Sequence, residues 1–92
     1  MPKYRKKPVE IEAFPVEEAL RCAAHDWPGL PDWLADAYET GGVIFAADHV
    51  LIHTLEGTMR GDRPDQIIRG VQGELYPCKP DVFAATYDEV TE

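Results

Sequence analysis

Arg69, Tyr76 and Lys79 are the side chains in this sequence whose chemistry and spacing best suit a bound ligand. A guanidinium pairs bidentately with phosphate, a phenol ring stacks on a nucleobase, and a nearby ammonium strengthens the local field. Gly70 and Gly73 lie between them and let a ligand approach the backbone. These are the parts of a nucleotide site. A cyclic dinucleotide, with two phosphates and two bases, needs a local patch of this kind rather than a basic protein overall. The competing account stacks Arg69 on Tyr76 as an internal cation–π pair and leaves Lys79 solvated.

Other candidate chemistry is thin. His49 and His53 have the H-x3-H spacing of zinc-binding helices but fall in a strand pattern. Four residues along a strand span roughly 13 Å, too far for two ligands on one metal. Cys78 beside Lys79 suggests a depressed thiol pKa, but no histidine partner accompanies it. Glu17 and Glu18 look like helix-start acids, and no glycine-rich phosphate loop precedes a helix. Arg60-Gly61-Asp62 spells an adhesion tripeptide by chance. The expectation is a non-enzyme with no metal and no cofactor.

The ligand candidates sit on a hairpin. Ile67 and Ile68 are strand formers, Gln72-Gly73 marks a reversal, and Glu74-Leu75-Tyr76 starts the return. A two-residue loop pairs Arg69 with Tyr76 on one face. A three-residue loop with a glycine bulge is the alternative, because Gln suits positive φ poorly, and it shifts the pairing by one residue. Pro77 and Pro80 keep the return strand short and at an edge.

The rest of the chain must position that hairpin. Residues 9–14 alternate apolar and acidic residues and predict a strand ended by Pro15. Residues 16–25 carry Val16, Leu20, Ala23 and Ala24 at helical spacing, and Trp27-Pro28-Gly29 breaks that helix. Residues 31–40 form a second helix with a Trp33, Leu34, Ala37, Tyr38 stripe. Strands follow over 43–46 and 50–55, then a polar loop over 57–65, the hairpin, and one or two helical turns over 81–87. Residues 1–92 therefore read as one α+β domain: a small, mostly antiparallel sheet or partial barrel with two helices packed on it. Sheet edges in so small a chain favour a homo-oligomer.

Composition bounds the function. Hydrophobic residues make up 45% of the chain, enough for a folded core, and no apolar run reaches membrane-spanning length. Two cysteines without a secretory signal fit reduced thiols in a cytoplasm. The net charge of −8 argues against duplex nucleic acid and anionic membranes. The charge is uneven, however. Residues 8–59 hold ten acids and one base, Arg21, whereas the other bases fall at 3–7, including Arg5 and Lys7, and at 60–79. If the first strand lies beside the hairpin, these two groups form a local basic patch. The alternative is a solvated basic arm.

The string Ile67 to Tyr87, with Tyr4-Arg5-Lys6-Lys7-Pro8, Pro31-Asp32-Trp33-Leu34 and Thr54-Leu55-Glu56-Gly57-Thr58-Met59, resembles a family of small phage proteins. Members end in a pattern like PGDWIIRGVxGExYPCKPDxFxxTY, and Arg63-Pro64-Asp65-Gln66 departs from its PGDW turn. The resemblance runs from one end of the chain to the other. It implies a counter-defence protein in the host cytoplasm, a sponge of the anti-CBASS or anti-Thoeris type. Such a sponge sequesters a cyclic dinucleotide or cyclic ADP-ribose signal without cleaving it. Arg69, Tyr76, Lys79, Arg5, Lys7 and Gly70 are the residues expected to bind it. The alternatives are a protein–protein adaptor or inhibitor anchored by Trp27, Trp33 and Tyr38 on the acidic helices, and an accessory phage protein with no ligand.

Overall fold

The structure is a computed structural model that describes residues 2–3 and 9–90. In chain order its elements are β1 (Glu12–Pro15), α1 (Val16–His25), a 3-10 turn (Trp27–Gly29), α2 (Asp32–Glu39), β2 (Val43–Phe45), β3 (His49–Thr54), β4 (Gly57–Asp62), β5 (Gln66–Arg69), β6 (Leu75–Cys78) and α3 (Pro80–Thr86). The strands form two antiparallel sheets of three, ordered β1-β5-β6 and β2-β3-β4. The chain is α+β, as the element pattern predicts. The sheets remain separate and open, so the partial-barrel alternative is not the one adopted.

One core joins the sheets. Helix α1 buries Val16, Ala19, Leu20 and Cys22, spaced to share one face. Helix α2 contributes Leu34, with Trp33 and Ala37 packed against the cluster. Val43, Val50 and Ile52 come from one sheet and Ile67 from the other. Each such aliphatic side chain, fully buried, is worth roughly 1.5–3 kcal/mol. Strand β5 is covered on both sides, since Ile67 and Ile68 are both fully buried although they point in opposite directions. On the Ile68 side α3 returns across the sheet, tied by the Tyr76 and Tyr87 hydroxyls at 3.1 Å.

Residues 57–62, expected as loop, form strand β4. It pairs with β3 over its whole length, from Thr54↔Gly57 to His49↔Asp62. The loop expectation fails because β4 is an exposed edge strand whose order comes from ladder hydrogen bonds rather than from an apolar face. Gly61 alone in it is buried. A Cβ there would lie 2.9 Å from Val50 Cγ2 and 3.3 Å from Val16 Cγ2, so only glycine lets the strand approach α1 so closely.

The hairpin adopts its longer-loop form. The Gly70 N–H donates to the Glu74 carbonyl at 2.8 Å and the Gly73 N–H to the Gly70 carbonyl at 3.0 Å. Gly73 has φ +83°, the left-handed position that closes a three-residue loop. Arg69 therefore pairs with Leu75, and Tyr76 with Ile68. The two-residue-loop register, with Arg69 opposite Tyr76, is corrected. Strand β1 does lie beside the hairpin, pairing Glu12 with Arg69 and Phe14 with Ile67.

Candidate functional site

The one-residue shift in register has a direct consequence for the expected ligand residues. Arg69 shares its side of the sheet with Leu75 and Glu12, whereas Tyr76 shares the opposite side with Ile68 and Ala13. The Arg69 guanidinium reaches Glu12 at 3.2 Å. The Tyr76 hydroxyl meets Tyr87, and burial first, then that neighbour, raises its pKa. Over Gly70, where a ligand was expected to approach, a Cβ would collide with the Glu74 carboxylate. Tyr76 lines a cleft of about 680 Å³ shared with His53, Leu55, Met59, Glu56 and Glu74, whose acids disfavour a phosphate. Arg5 and Lys7 lie outside the described residues.

Lys79 serves the seam between the sheets. Its ammonium donates to Asp65 Oδ2 at 3.0 Å and to Asp62 Oδ2 at 3.4 Å. Asp65 is 1% exposed and also accepts from the Asp62 N–H at 2.9 Å. Its backbone carbonyl accepts from the Val16 N–H at 3.0 Å, joining the β4–β5 turn to the start of α1. The hydrogen bond to Asp65 is the main cause that holds Lys79 above its usual pKa, and Arg60 is the main cause that holds Asp62 below its own. The Cys78 thiol is pushed up, first by burial and then by Asp65 and Asp81. The expectation of a thiol depressed by Lys79 is thus corrected: the ammonium is committed to carboxylates. The expected ligand set missed Asp65. Its signal was an Asp directly after Pro64 in a turn, where the short side chain bonds nearby backbone N–H groups.

His49 bonds Asp48 and His53 bonds Thr58, each through Nδ1. Among the described residues no group of three or more His, Cys, Asp or Glu is placed to hold a metal, and no helix is long and apolar enough to cross a membrane.

A different site emerges at the far ends of α1, α2 and β2. The Asp26 carbonyl accepts from the Gly29 N–H at 2.8 Å and the Trp27 carbonyl from the Leu30 N–H at 3.0 Å, fixing a tight turn that presents the Trp27 ring. Tyr38 comes from the last turn of α2 and Phe45 from the end of β2. The Tyr38 and Phe45 rings stack at 5.5 Å with 19° between planes, and Trp27 stands edge-on to both, at 5.2 and 6.1 Å. Ring pairs in such geometries are worth roughly 0.5–1.5 kcal/mol beyond their buried area. Together with Leu20, Ala23, Ala24 and Ala46 they line a groove of about 230 Å³.

Trp27 and Tyr38 nevertheless keep 38% and 47% of their surface exposed. Trp33, named with them as an anchor, instead packs against the core, and Phe45 takes its place in the cluster. Phe45 follows Val43 at the two-residue spacing of one strand face, the signal that could have placed it there. No family model, curated protein or solved structure matches this chain.

Proposed function

We propose that this chain is a binding protein without chemistry of its own, an adaptor or inhibitor that docks a partner protein on the Trp27, Tyr38 and Phe45 groove. The observation that supports it is the exposure of two aromatic rings held by a backbone-bonded turn and a helix end. Rigid aromatics lose little entropy on binding, and their truncation dominates the energetics of many interfaces. The runner-up expectation, an adaptor using the aromatic helices, thus becomes the preferred reading. Nucleotide capture rests on the resemblance to phage sponges. Of the residues offered for it, Arg69 and Tyr76 lie on opposite faces of a sheet, and Arg69 and Lys79 are held in internal ion pairs.

The test uses immobilised wild-type chain beside a Trp27→Ala/Tyr38→Ala double variant in the same host extract. A protein retained by the first and absent from the second supports docking at the groove. A melting panel with cyclic dinucleotides and cyclic ADP-ribose isomers runs in parallel. Ligand at about 100 times its Kd stabilises a fold by about 2.7 kcal/mol. A rise of that size, equal in wild type and double variant and with no variant-sensitive partner, replaces docking by capture.

A further inference from the structure

The chain segment that supplies the aromatic groove is acidic, and the cations that border it, Arg21 and Arg63, are paired with Glu18 and Glu17. From Cys22 to Met59, the stretch that supplies all three rings, the chain carries Asp26, Asp32, Asp36, Glu39, Asp48 and Glu56 and no Lys or Arg. Asp26 immediately precedes Trp27, and Glu39 immediately follows Tyr38. Among residues 9–90 every Lys and Arg is already engaged: Arg21 pairs with Glu18, Arg60 with Asp62, Arg63 with Glu17, Arg69 with Glu12, and Lys79 with Asp62 and Asp65. Among the described residues Asp26, Asp36 and Glu39 enter no ion pair. The rings add the same sign, since the faces of an aromatic system are negative.

Resting on the docking reading, we infer that the groove takes an arginine-bearing segment of a partner protein. One guanidinium lies on the open face of the Trp27 and Tyr38 rings and its neighbours pair with the flanking carboxylates. Arginine fits better than lysine because a flat, weakly hydrated guanidinium stacks on a ring while it forks onto a carboxylate. Size agrees, since about 230 Å³ is below the roughly 300–1,000 Å³ of a typical small-molecule pocket and suits a side-chain anchor. Anionic partners, nucleic acid included, meet repulsion at this end of the molecule.

The test is fluorescence anisotropy of a labelled hexa-arginine peptide with the full chain, against hexa-lysine and hexa-glutamate peptides. Arginine is expected to bind more tightly than lysine, glutamate not to bind, and added salt to weaken the complex. Trp27→Ala and Tyr38→Ala are each expected to reduce affinity about tenfold, equivalent to about 1.4 kcal/mol. Tyr38→Phe, which keeps the ring, retains binding, and melting curves verify that each variant is folded. Arginine binding that ignores both ring truncations is bulk charge attraction and overturns the inference. So does a ring-dependent self-association that the arginine peptide does not displace, because the occupant is then a second copy. If the arginine peptide fails while an extract protein is still captured ring-dependently, the partner chemistry is wrong and the docking reading survives. If both fail, the docking reading falls with it.

Discussion

The Asp65 seam and the aromatic groove are built on opposite terms. At the seam, Asp65 is almost fully buried and its carboxylate is satisfied by Lys79 and the Asp62 N–H. At the groove, apolar rings that prefer burial stay half open, and adjacent carboxylates lack partners within the described chain. A charge is costly to bury unless paired, so a seam that pairs it completely is devoted to holding the sheets together. Exposed aromatic surface is costly to leave in water, and a fold that holds it rigid leaves it available for contact with another molecule. The residues with the most reactive labels are thus the structural ones, and the plainest hydrophobic residues make the better candidate site.

The largest effect expected from breaking this contrast is at Asp65. Asp65→Ala removes the acceptor shared by Lys79 and the Asp62 N–H, and should cost about 1–3 kcal/mol, chiefly because the Asp62 N–H is left without a partner while the exposed Lys79 returns to water. In a domain of this size each kcal/mol lowers Tm by roughly 4–8 °C. Asp65→Asn keeps one acceptor oxygen and should lose less. Thermal unfolding followed by circular dichroism decides it. An unchanged Tm in Asp65→Ala would falsify the seam's structural role.

Next in size is the hairpin loop, which fixes the faces on which Arg69 and Tyr76 stand. A Cβ at Gly73 meets nothing within 4 Å, so substitution costs only the left-handed backbone at φ +83°, about 1 kcal/mol for alanine. Gly73→Asn should recover part of that loss, since Asn tolerates this region. Equal stability of wild type, Gly73→Ala and Gly73→Asn would mean that the loop does not use Gly73 in this way.

Much of this fold was legible in the sequence where one face of an element is apolar. The residue 16–25 helix and the Trp27-Pro28-Gly29 break appear in the structure with matching bounds, whereas the strand expected over 9–14 is shorter, Glu12–Pro15, and includes the proline expected to end it. Strand β4 was not legible, because Thr58, Arg60 and Asp62 have no apolar alternation and its order comes from pairing with β3. The hairpin was legible as a hairpin but not in register. A one-residue choice at Gln72-Gly73 flips every side chain, and glycine at positive φ is compatible with either loop length. The site suffered most. Cation–aromatic proximity in sequence suggested Arg69 with Tyr76, while the cluster that forms draws its rings from positions 27, 38 and 45, on three separate elements. Such a meeting depends on tertiary packing, which local pattern does not encode.

The smallest effect, and the most specific, is in pH dependence. Lys79 is held above its ordinary 10.5 chiefly by Asp65, so its contribution to stability is full below 10.5 and is lost as pH rises through the higher folded value. Asp62 is held below its ordinary 3.8 chiefly by Arg60, so its contribution is present above 3.8 and disappears as pH falls through the lower folded value. Lys79→Met removes the first term and leaves most of the second. The Tm difference between wild type and Lys79→Met should therefore be steady near neutrality and shrink as pH climbs beyond 10.5. Tyr76, whose phenol burial also raises, contributes to alkaline unfolding in both proteins and cancels in the difference. Trp27→Ala takes no charge from the seam and should leave the difference made by Lys79→Met as it is. A Lys79→Met curve that runs parallel to wild type through the alkaline range would show that the ammonium is not engaged at the seam. Lys79 would then be available as a surface cation, and the line between the seam and the groove would have to be redrawn.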